Sequence, residues 1–472
     1  MSEKQELKDH LKRISPESLN DLKDTFRYWL ALDDFTAVEV VLACALDRKI
    51  AGDPVWCFLV APSGGVKSEL LSAISKALPE WTCKIDGLTS RSIVSGRATA
   101  LGTEVRGLAV EADGKTIVVK DFTEILAKEK CERGEIFGQM RSWYDGEISR
   151  RFGNFDKTLT VKSSVGMILG VTPSIDRFTG MLGQLGERFI KIRHIQDRGG
   201  SRKKSLENAE KEHEMRQELA GAIKHYMGTL CLNVLPPVPD EMREAIGNIA
   251  ELAALVRTTV PWGVGDPGSN MEVEIEPEYS TRLSKQLLKL ATMLAVVRRK
   301  STVGFEELET VMRVGLDTLP PKRFKILREL YWSERPLCKA EIVGATKFEK
   351  WTVQDSMKNL ELIGLVKGHE EKVGSGTVDF YEASDSIKTL IGALCDTKII
   401  EGVKRLELKN PLPVPEVKAS IPIDPITPPD ASIPTDPILH TPQIKYEHIG
   451  MEASRSPVSV IPTLSVAKEA QP

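Results

Sequence analysis

The sequence predicts an α/β protein whose centre is a mostly parallel sheet covered by helices. Three short apolar runs of strand type support this prediction, namely residues 55–60, 116–119 and 165–171. Segments with helical spacing separate these runs, and strands that alternate with helices are typical of a parallel sheet buried on both faces. From about residue 322 the pattern changes, which indicates a second and smaller unit after the sheet.

Length and composition favour several folded units and exclude disorder for most of the chain. The protein has 472 residues, of which 41% are hydrophobic and 28% are charged, and this composition allows a sizeable core. The net charge of -3 gives no overall attraction to nucleic acid, so contacts with phosphates must come from local basic patches. No apolar run of membrane-spanning length is present, and the N-terminus is charged. We therefore expect a cytoplasmic protein without a membrane partner.

A phosphate-binding loop is predicted directly after the first strand. A glycine-bearing turn leads from this strand into a helical stretch, which is the order that a P-loop requires. In such a loop backbone N–H groups surround the β-phosphate, Lys67 reaches the β and γ oxygens, and Ser68 holds Mg²⁺. Two outer glycines of the common pattern are replaced, and an ordinary strand-to-helix turn is the alternative. The predicted nucleotide-binding segment is Ala61-Pro62-Ser63-Gly64-Gly65-Val66-Lys67-Ser68.

A carboxylate at the end of the second predicted strand is the candidate partner of this loop. Hydrolysis of ATP needs a carboxylate to hold Mg²⁺ and usually a second one to orient the attacking water. Asp121 ends the strand, and Glu124 follows three residues later. Asp121 is therefore either the magnesium ligand or the group that activates water. Slow hydrolysis is an open alternative, as is a helix-capping role for Asp121.

Together these residues resemble the minichromosome maintenance-like branch of the AAA+ ATPases. Members of that branch form rings that couple ATP hydrolysis to movement on DNA, and they need ATP and Mg²⁺. The branch has alanine before Lys-Ser in its P-loop, where this chain has Val66. It has Asp-Glu-Phe where this chain has Lys120-Asp121-Phe122. In that register Asp121 replaces the glutamate and Lys120 replaces the aspartate, which leaves the handling of magnesium open.

The resemblance implies roles for three further residues. Thr172, which precedes Pro173, is similar to the family's polar sensor residue, and its hydroxyl is able to bind water near the γ-phosphate. Arg188, in Glu187-Arg188-Phe189, is similar to the arginine finger that reaches the nucleotide of the neighbouring subunit. Arg282 is similar to the second sensor arginine, which contacts the γ-phosphate from the head of a lid helix. The implied assembly is a homo-oligomeric ring, with a hexamer as the candidate size.

The resemblance also suggests how the chain is organised. The C-terminal tail is rich in proline and contains an imperfect repeat that begins at Ala419 and again at Ala431. We expect this tail to act as a flexible tether or to bind an unknown partner. The predicted segments are N-terminal helices (1–50), an AAA+ ATPase core (51–235), a helical lid (236–320), a C-terminal winged helix (321–384), a helical or linker segment (385–409) and a disordered tail (410–472).

A basic hairpin is the first candidate contact with DNA. Two strand-like stretches around a Gly-Asn turn carry Arg150, Arg151 and Lys157. In the resembling family a hairpin at this position lines the central pore, where such side chains grip phosphates. The alternative is a hairpin that packs its aromatic side chains on the sheet.

The predicted winged helix is the second candidate contact with DNA. The second helix of its helix-turn-helix carries Lys350, Gln354 and Lys358, and such a helix enters a major groove when the module reads DNA. Winged helices also bind proteins. A nucleotide-gated regulator or adaptor with weak hydrolysis is therefore the alternative to a DNA motor, and an interaction protein with a relic P-loop is a third interpretation.

Overall fold

The computed structural model describes most of the chain before the tail. The predicted tail, the linker from residue 397 onward, Gly65 and Lys157 lie outside the described residues. All described residues belong to one compact unit that spans Met1–Pro411. The described ranges are 3–64, 66–99, 102–151, 158–178, 188–195, 197–260, 275–373 and 376–396.

A five-stranded, all-parallel sheet forms the centre of this unit, as the sequence predicted. Its strand order is β2-β5-β8-β1-β9, so β1 lies between the two strands that come last along the chain. Two antiparallel hairpins, β3-β4 and β6-β7, are inserted before and after β5. The strands up to this point are β1 (Trp56–Val60), β2 (Thr82–Ile85), β3 (Ser95–Thr99), β4 (Gly102–Arg106), β5 (Thr116–Val119), β6 (Glu147–Arg151), β7 (Thr158–Lys162), β8 (Gly166–Val171) and β9 (Phe189–Arg193).

Helices cover both faces of the sheet, and none of those in the described ranges is long and apolar enough to cross a membrane. Short 3₁₀ helices lie at Asp47–Lys49 and Pro173–Phe178. The helices that accompany the sheet are α1 (Glu3–Ile14), α2 (Leu19–Trp29), α3 (Thr36–Ala45), α4 (Lys67–Ala77), α5 (Ser90–Ile93), α6 (Leu108–Glu111), α7 (Thr123–Leu126), α8 (Lys130–Tyr144), α9 (Arg198–Glu207), α10 (Glu212–Gly228), α11 (Asp240–Arg257), α12 (Thr281–Val297) and α13 (Phe305–Thr318).

The side chains of each buried strand alternate between two apolar layers, because successive side chains of a strand point to opposite faces. In β1, Cys57 and Leu59 lie in the layer that contains α3 and α4, whereas Trp56 and Phe58 lie in the layer that contains α8. In β5, Val118 lies in the α4 layer. This alternation determines which polar side chains at the strand ends share a face with α4.

The helices after the sheet pack against its edge rather than standing apart from it. Helix α13 packs along the edge strand β9, and α12 packs on α3. The backbone N–H of Lys191 in β9 donates to the Thr318 hydroxyl over 2.9 Å, and that of Arg193 donates to Asp317 over 2.8 Å. The edge strand is therefore fixed on both sides, by β1 and by α13.

Within this compact unit, a smaller group of helices and antiparallel strands ends the described chain, and we call it the C-terminal unit. It contains α14 (Pro321–Trp332), β10 (Leu337–Cys338), α15 (Lys339–Thr346), α16 (Lys350–Leu362), β11 (Val366–Val373), β12 (Gly376–Ala383) and α17 (Asp385–Asp396). The three strands pair in the order β10-β12-β11. The sequence pattern predicted a second and smaller unit from about residue 322, and the described residues there form four helices and three strands.

Gly170 in β8 allows the close approach of β5, which positions the candidate site. A Cβ at this residue would lie 2.3 Å from the carbonyl oxygen of Lys120, and the Gly170 carbonyl accepts a hydrogen bond from the Phe122 N–H over 2.8 Å. We predict that Gly170→Ala lowers the free energy of unfolding by about 1–3 kcal/mol, because neither backbone segment has room to move. Chemical denaturation measures this change.

Gly247 in α11 provides the matched control. A Cβ there meets no atom within 4 Å beyond the helix itself, so Gly247→Ala is expected to raise stability by about 0.5–1 kcal/mol. If both variants were stabilised, the close approach at Gly170 would not constrain the sheet.

Candidate nucleotide-binding site

The loop between β1 and α4 lies at the edge where the parallel strands end. The Ala61 N–H donates to the Val171 carbonyl over 3.1 Å, which ties the start of the loop to β8. Gly64 has φ +76, a left-handed conformation that glycine adopts without strain. Helix α4 begins at Lys67, so its unpaired N–H groups and positive dipole end face the loop. A helix start of this kind favours an anion.

Lys67 is buried at this edge, with 6% of its surface exposed. Burial lowers the pKa of the Lys67 ammonium, and the negative charge of Asp121 opposes that shift. A buried ammonium is stable only beside negative charge. Lys67 and Asp121 therefore form the electrostatic centre of the candidate site.

Thr172 joins these two residues because it ends the strand between them. Its N–H donates to the Thr123 hydroxyl over 3.5 Å, and its own hydroxyl shares a 2.6 Å hydrogen bond with Ser174. One carboxylate oxygen of Asp121 accepts from the Thr123 N–H over 3.0 Å. Asp121 thus makes the helix-capping contact that the sequence offered as its alternative role. Its negative charge still acts on the ammonium of Lys67. Glu124 is exposed in the first turn of α7.

Lys120 rather than Asp121 shares a cavity with Ser68. This cavity of ≈ 460 Å³ is bounded by α4 and the ends of β2 and β5, and both Ser68 and Lys120 line it. Lys120 continues the alternation of β5, in which Val118 faces α4. The sequence named Ser68 and Asp121 as joint magnesium ligands, and the structure brings a cation to the side of Ser68.

A second cavity extends from the loop toward α2, α9 and α10. Its volume is ≈ 280 Å³, and it lies between the phosphate-binding loop, the end of α2 and the helices α9 and α10. The lining residues include Trp29, Leu30, Gly64, Val66, Ser68 and Lys204. Sequence reasoning did not find this cavity, because its walls come from segments that are distant along the chain.

His194 lies next to this cavity and was also missed. It follows β9, its N–H donates to the Val60 carbonyl over 2.8 Å, and it borders a space of ≈ 10 Å³ with Val66 and Lys67. Among the described residues neither ring nitrogen has a hydrogen-bond partner, although the residue is only 5% exposed. Burial lowers the pKa of His194, which favours the neutral ring. The sequence did carry a signal for His194, because this residue is polar and follows a buried strand, as Asp121 does.

Arg188 and Arg282 come together at the opposite edge of the sheet. Arg188 precedes β9, whose Phe189 pairs with Trp56 at the start of β1. Its guanidinium donates to Asp145 over 3.0 Å and lies 5.3 Å from the centre of the Tyr144 ring. The guanidinium of Arg282, at the head of α12, lies 5.7 Å from the same ring.

The length of β1 separates this arginine pair from the loop. Six residue steps lead from the level of Arg188 to that of Ala61, which is about 20 Å at the rise of a β-strand. Within one subunit neither arginine reaches a nucleotide held by Lys67. The expectation that Arg282 contacts a γ-phosphate therefore requires a neighbouring subunit, as the expectation for Arg188 already did.

The candidate DNA contacts lie on two separate surfaces. In the β6-β7 hairpin, Arg151 is exposed, whereas the Arg150 side chain donates to the Ser90 carbonyl. Lys157 lies outside the described residues. The β3-β4 hairpin, which sequence reasoning missed, lies nearby, because α6 directly after it contacts β7.

The second surface is the exposed face of α16. Lys350 and Gln354 are exposed and Lys358 is half-buried, and their spacing of four residues places them on one face. Trp351 beside them is 63% exposed, and the ammonium of Lys322 lies 5.5 Å from the centre of its ring. The structure brings these three predicted residues together on one side of the C-terminal unit.

Comparison with known proteins assigns no family to the chain. No protein-family model matches the chain, and no curated protein matches it either.

Proposed function

We propose that the protein binds ATP at the loop before α4 and acts on DNA as a ring-forming ATPase of the minichromosome maintenance-like AAA+ type. The observation that supports this proposal best is the convergence of Lys67, Asp121 and Thr172 at one edge of the sheet. Each of these residues follows one of three adjacent strands, and Asp121 and Thr172 lie at the same edge as Lys67, the first residue of α4. Backbone N–H groups bind the phosphates, Lys67 neutralises them, and Asp121 and Thr172 orient the attacking water.

The two cavities suggest how the nucleotide lies. Asp121 and Thr172 mark the γ-phosphate end, on the β8 side of the loop. The nucleoside therefore extends to the other side, toward the ≈ 280 Å³ cavity beside Trp29. Its walls include the apolar Leu30 and Val66 and the polar Lys204, and such a mixture suits a base and a ribose.

The arginine pair supports a site shared between subunits. Arg188 and Arg282 lie about 20 Å from the loop of their own subunit, at the rise of a β-strand. In a closed ring each subunit presents one face to the site of its neighbour. We propose that this pair stabilises the charge that develops on the neighbour's γ-phosphate during hydrolysis.

Magnesium does not fit this donor set well. Mg²⁺ requires near-octahedral oxygen ligands and is usually held by one or two carboxylates besides phosphate. Here Ser68 shares its cavity with the Lys120 ammonium, and Asp121 already accepts a hydrogen bond from Thr123. This observation favours a second candidate function, in which the protein binds ATP, hydrolyses it weakly and regulates a partner or an operator.

The C-terminal unit supports contact with DNA in both candidates. Its first three helices, α14 to α16, and its three-stranded antiparallel sheet agree with a winged helix, and we propose that α16 enters a major groove with Lys350 and Gln354. The exposed Arg151 of the β6-β7 hairpin is the proposed contact with the phosphates in the pore.

Steady-state ATP hydrolysis by the purified protein, with and without single-stranded and duplex DNA, tests this proposal. We expect turnover that DNA stimulates, and we expect Arg151→Ala to reduce the stimulation without changing turnover in the absence of DNA. Tight ATP binding without turnover would support the nucleotide-gated regulator and exclude the motor. If Lys350→Ala lost binding to duplex DNA and Arg151→Ala did not, the operator contact would lie on α16.

A further inference from the structure

We propose that the protein binds nucleoside triphosphate without Mg²⁺, and that the ammonium group of Lys120 supplies the positive charge that the metal ion would otherwise supply. This inference rests on the proposed nucleotide site and concerns how that site neutralises the phosphates. It makes Lys120 a binding residue for the triphosphate rather than a neutral departure from the family pattern.

The cavity beside Ser68 has the charge that this role requires. Within the described part of the chain its charged lining residues are four cations and the single carboxylate of Glu69. Arg216 donates to both oxygens of Glu69, over 2.9 and 2.8 Å, and also pairs with Glu212 over 3.0 Å. The carboxylate is thereby compensated. The positive charge that remains comes from Lys76, Lys120 and Lys84, of which Lys84 also lies 3.8 Å from the exposed carboxylate of Asp86.

Lys120 is the member of this group that lies nearest the strand end. Its side chain is half-buried, whereas Lys76 and Lys84 are exposed. Burial lowers the pKa of Lys120, and the positive charge of Lys84 lowers it further. An anion in the cavity would relieve both effects, whereas a divalent cation would add to the repulsion. The cavity therefore favours phosphate oxygens over a metal ion.

The backbone holds Lys120 in this place. Its carbonyl oxygen packs against Gly170, and Phe122, two residues later, donates its N–H to the Gly170 carbonyl of β8. Because the strand end is fixed, the Lys120 side chain starts from a defined place at the wall of the cavity that Ser68 also lines. A lysine is a point charge with three donors, which suits oxygens that a metal would otherwise bridge.

Equilibrium binding of a fluorescent ATP analogue to the full-length protein, in excess Mg²⁺ and in excess EDTA, tests the inference. For the wild-type protein we expect the two dissociation constants to agree within about threefold. Lys120→Met, which keeps the length of the side chain, is expected to weaken binding in EDTA by about tenfold or more. Lys120→Arg keeps the charge and should preserve binding in EDTA.

Lys120→Asp reverses the arrangement, because it places a carboxylate beside Ser68. We expect its binding to become dependent on Mg²⁺. Lys115→Met is the matched control, since Lys115 is also half-buried and flanks the same strand at its other end. It should bind like the wild-type protein in both buffers, and thermal unfolding of each variant separates lost binding from lost folding.

The possible outcomes distinguish this inference from the proposal on which it rests. Wild-type binding that requires Mg²⁺, or a Lys120→Met protein that binds normally in EDTA, would overturn the inference and leave the nucleotide site in place. Absence of binding in both buffers would overturn the nucleotide site itself, and the inference with it.

Discussion

Arg188→Ala is expected to abolish ATP turnover while leaving ATP binding intact, and mixing it with Asp121→Asn is expected to restore part of the turnover. Arg188 lies at the edge of the sheet that is remote from Lys67, so its loss leaves the phosphate-binding loop of its own subunit complete. An arginine finger typically contributes roughly 10³–10⁵ in rate. Each variant alone therefore has no complete site, either for lack of the arginine or for lack of the carboxylate.

Mixing creates complete sites at some interfaces. A site is active when the subunit that binds ATP carries Asp121 and its neighbour carries Arg188. In an equal and random mixture about one quarter of the interfaces in a closed ring meet both conditions. Turnover by the mixture, divided by that of the wild-type protein, measures this fraction directly.

The control is Arg243→Ala, an exposed arginine of α11 that is distant from the site along the chain and has no role in the proposal. It should retain wild-type turnover. If the mixture stayed inactive although both variants bound ATP and assembled normally, the shared site would be wrong. Turnover that survives in Arg188→Ala alone would exclude the arginine finger.

Lys289→Met is expected to cause the largest loss of stability, about 3–5 kcal/mol, because it takes from a buried carboxylate its nearer cationic partner and leaves Arg48, 3.5 Å away. The Lys289 ammonium lies 2.7 Å from Asp47, which has no exposed surface. It also donates to the Asp53 carbonyl over 3.1 Å. This pair joins α12 to the segment that leads into β1, where Asp47 also accepts from the Val55 N–H over 3.1 Å.

Urea denaturation measures the loss, and the pH dependence identifies its cause. Burial raises the pKa of Asp47, and Lys289 opposes that shift, so removing the lysine leaves the carboxyl group with a still higher pKa. A folded state that holds a proton more tightly than the unfolded state gains stability as the pH falls. The deficit of Lys289→Met should therefore shrink as the pH falls below the pKa of the buried carboxyl group and stay constant above that pKa.

Lys285→Met is the matched control on the same helix. Lys285 is exposed, and its ammonium lies 3.3 Å from Asp53, itself partly exposed. Exposed pairs contribute about 0–1 kcal/mol, so this variant should remain close to the wild-type protein. Equal losses of stability in the two variants would mean that burial does not increase the contribution of the Asp47–Lys289 pair.

The sequence was sufficient for the features that depend on neighbouring residues. The order of strand, loop and helix around Lys67 is local, because an apolar strand, a glycine turn and helical spacing follow one another directly. Asp121 was recognised for the same reason, since it ends an apolar run, whereas Thr172 was singled out through the family resemblance. Parallel strands end at the same edge of a sheet, so their proximity followed from the fold class.

Features that depend on pairing between distant segments were beyond the sequence. The placement of Lys120 beside Ser68 depends on how β5 aligns with β2 and β8, which no local pattern encodes. The arrangement of Arg282 next to Arg188 depends on the packing of α12 against the sheet. The cavity beside Trp29 depends on α2 and α10, which are far apart along the chain.

The edge strand β9 connects two positions that, in the proposed ring, would belong to two different ATP sites. Arg188 lies at its beginning, and His194 follows its end beside the phosphate-binding loop. A strand is stiff along its length, and hydrogen bonds to β1 and α13 hold this one on both sides. A shift at the loop of one subunit would therefore reach Arg188 only together with β1 and α13. In the proposed ring, β9 would thus couple the loop of one subunit to the arginine that we propose serves the next.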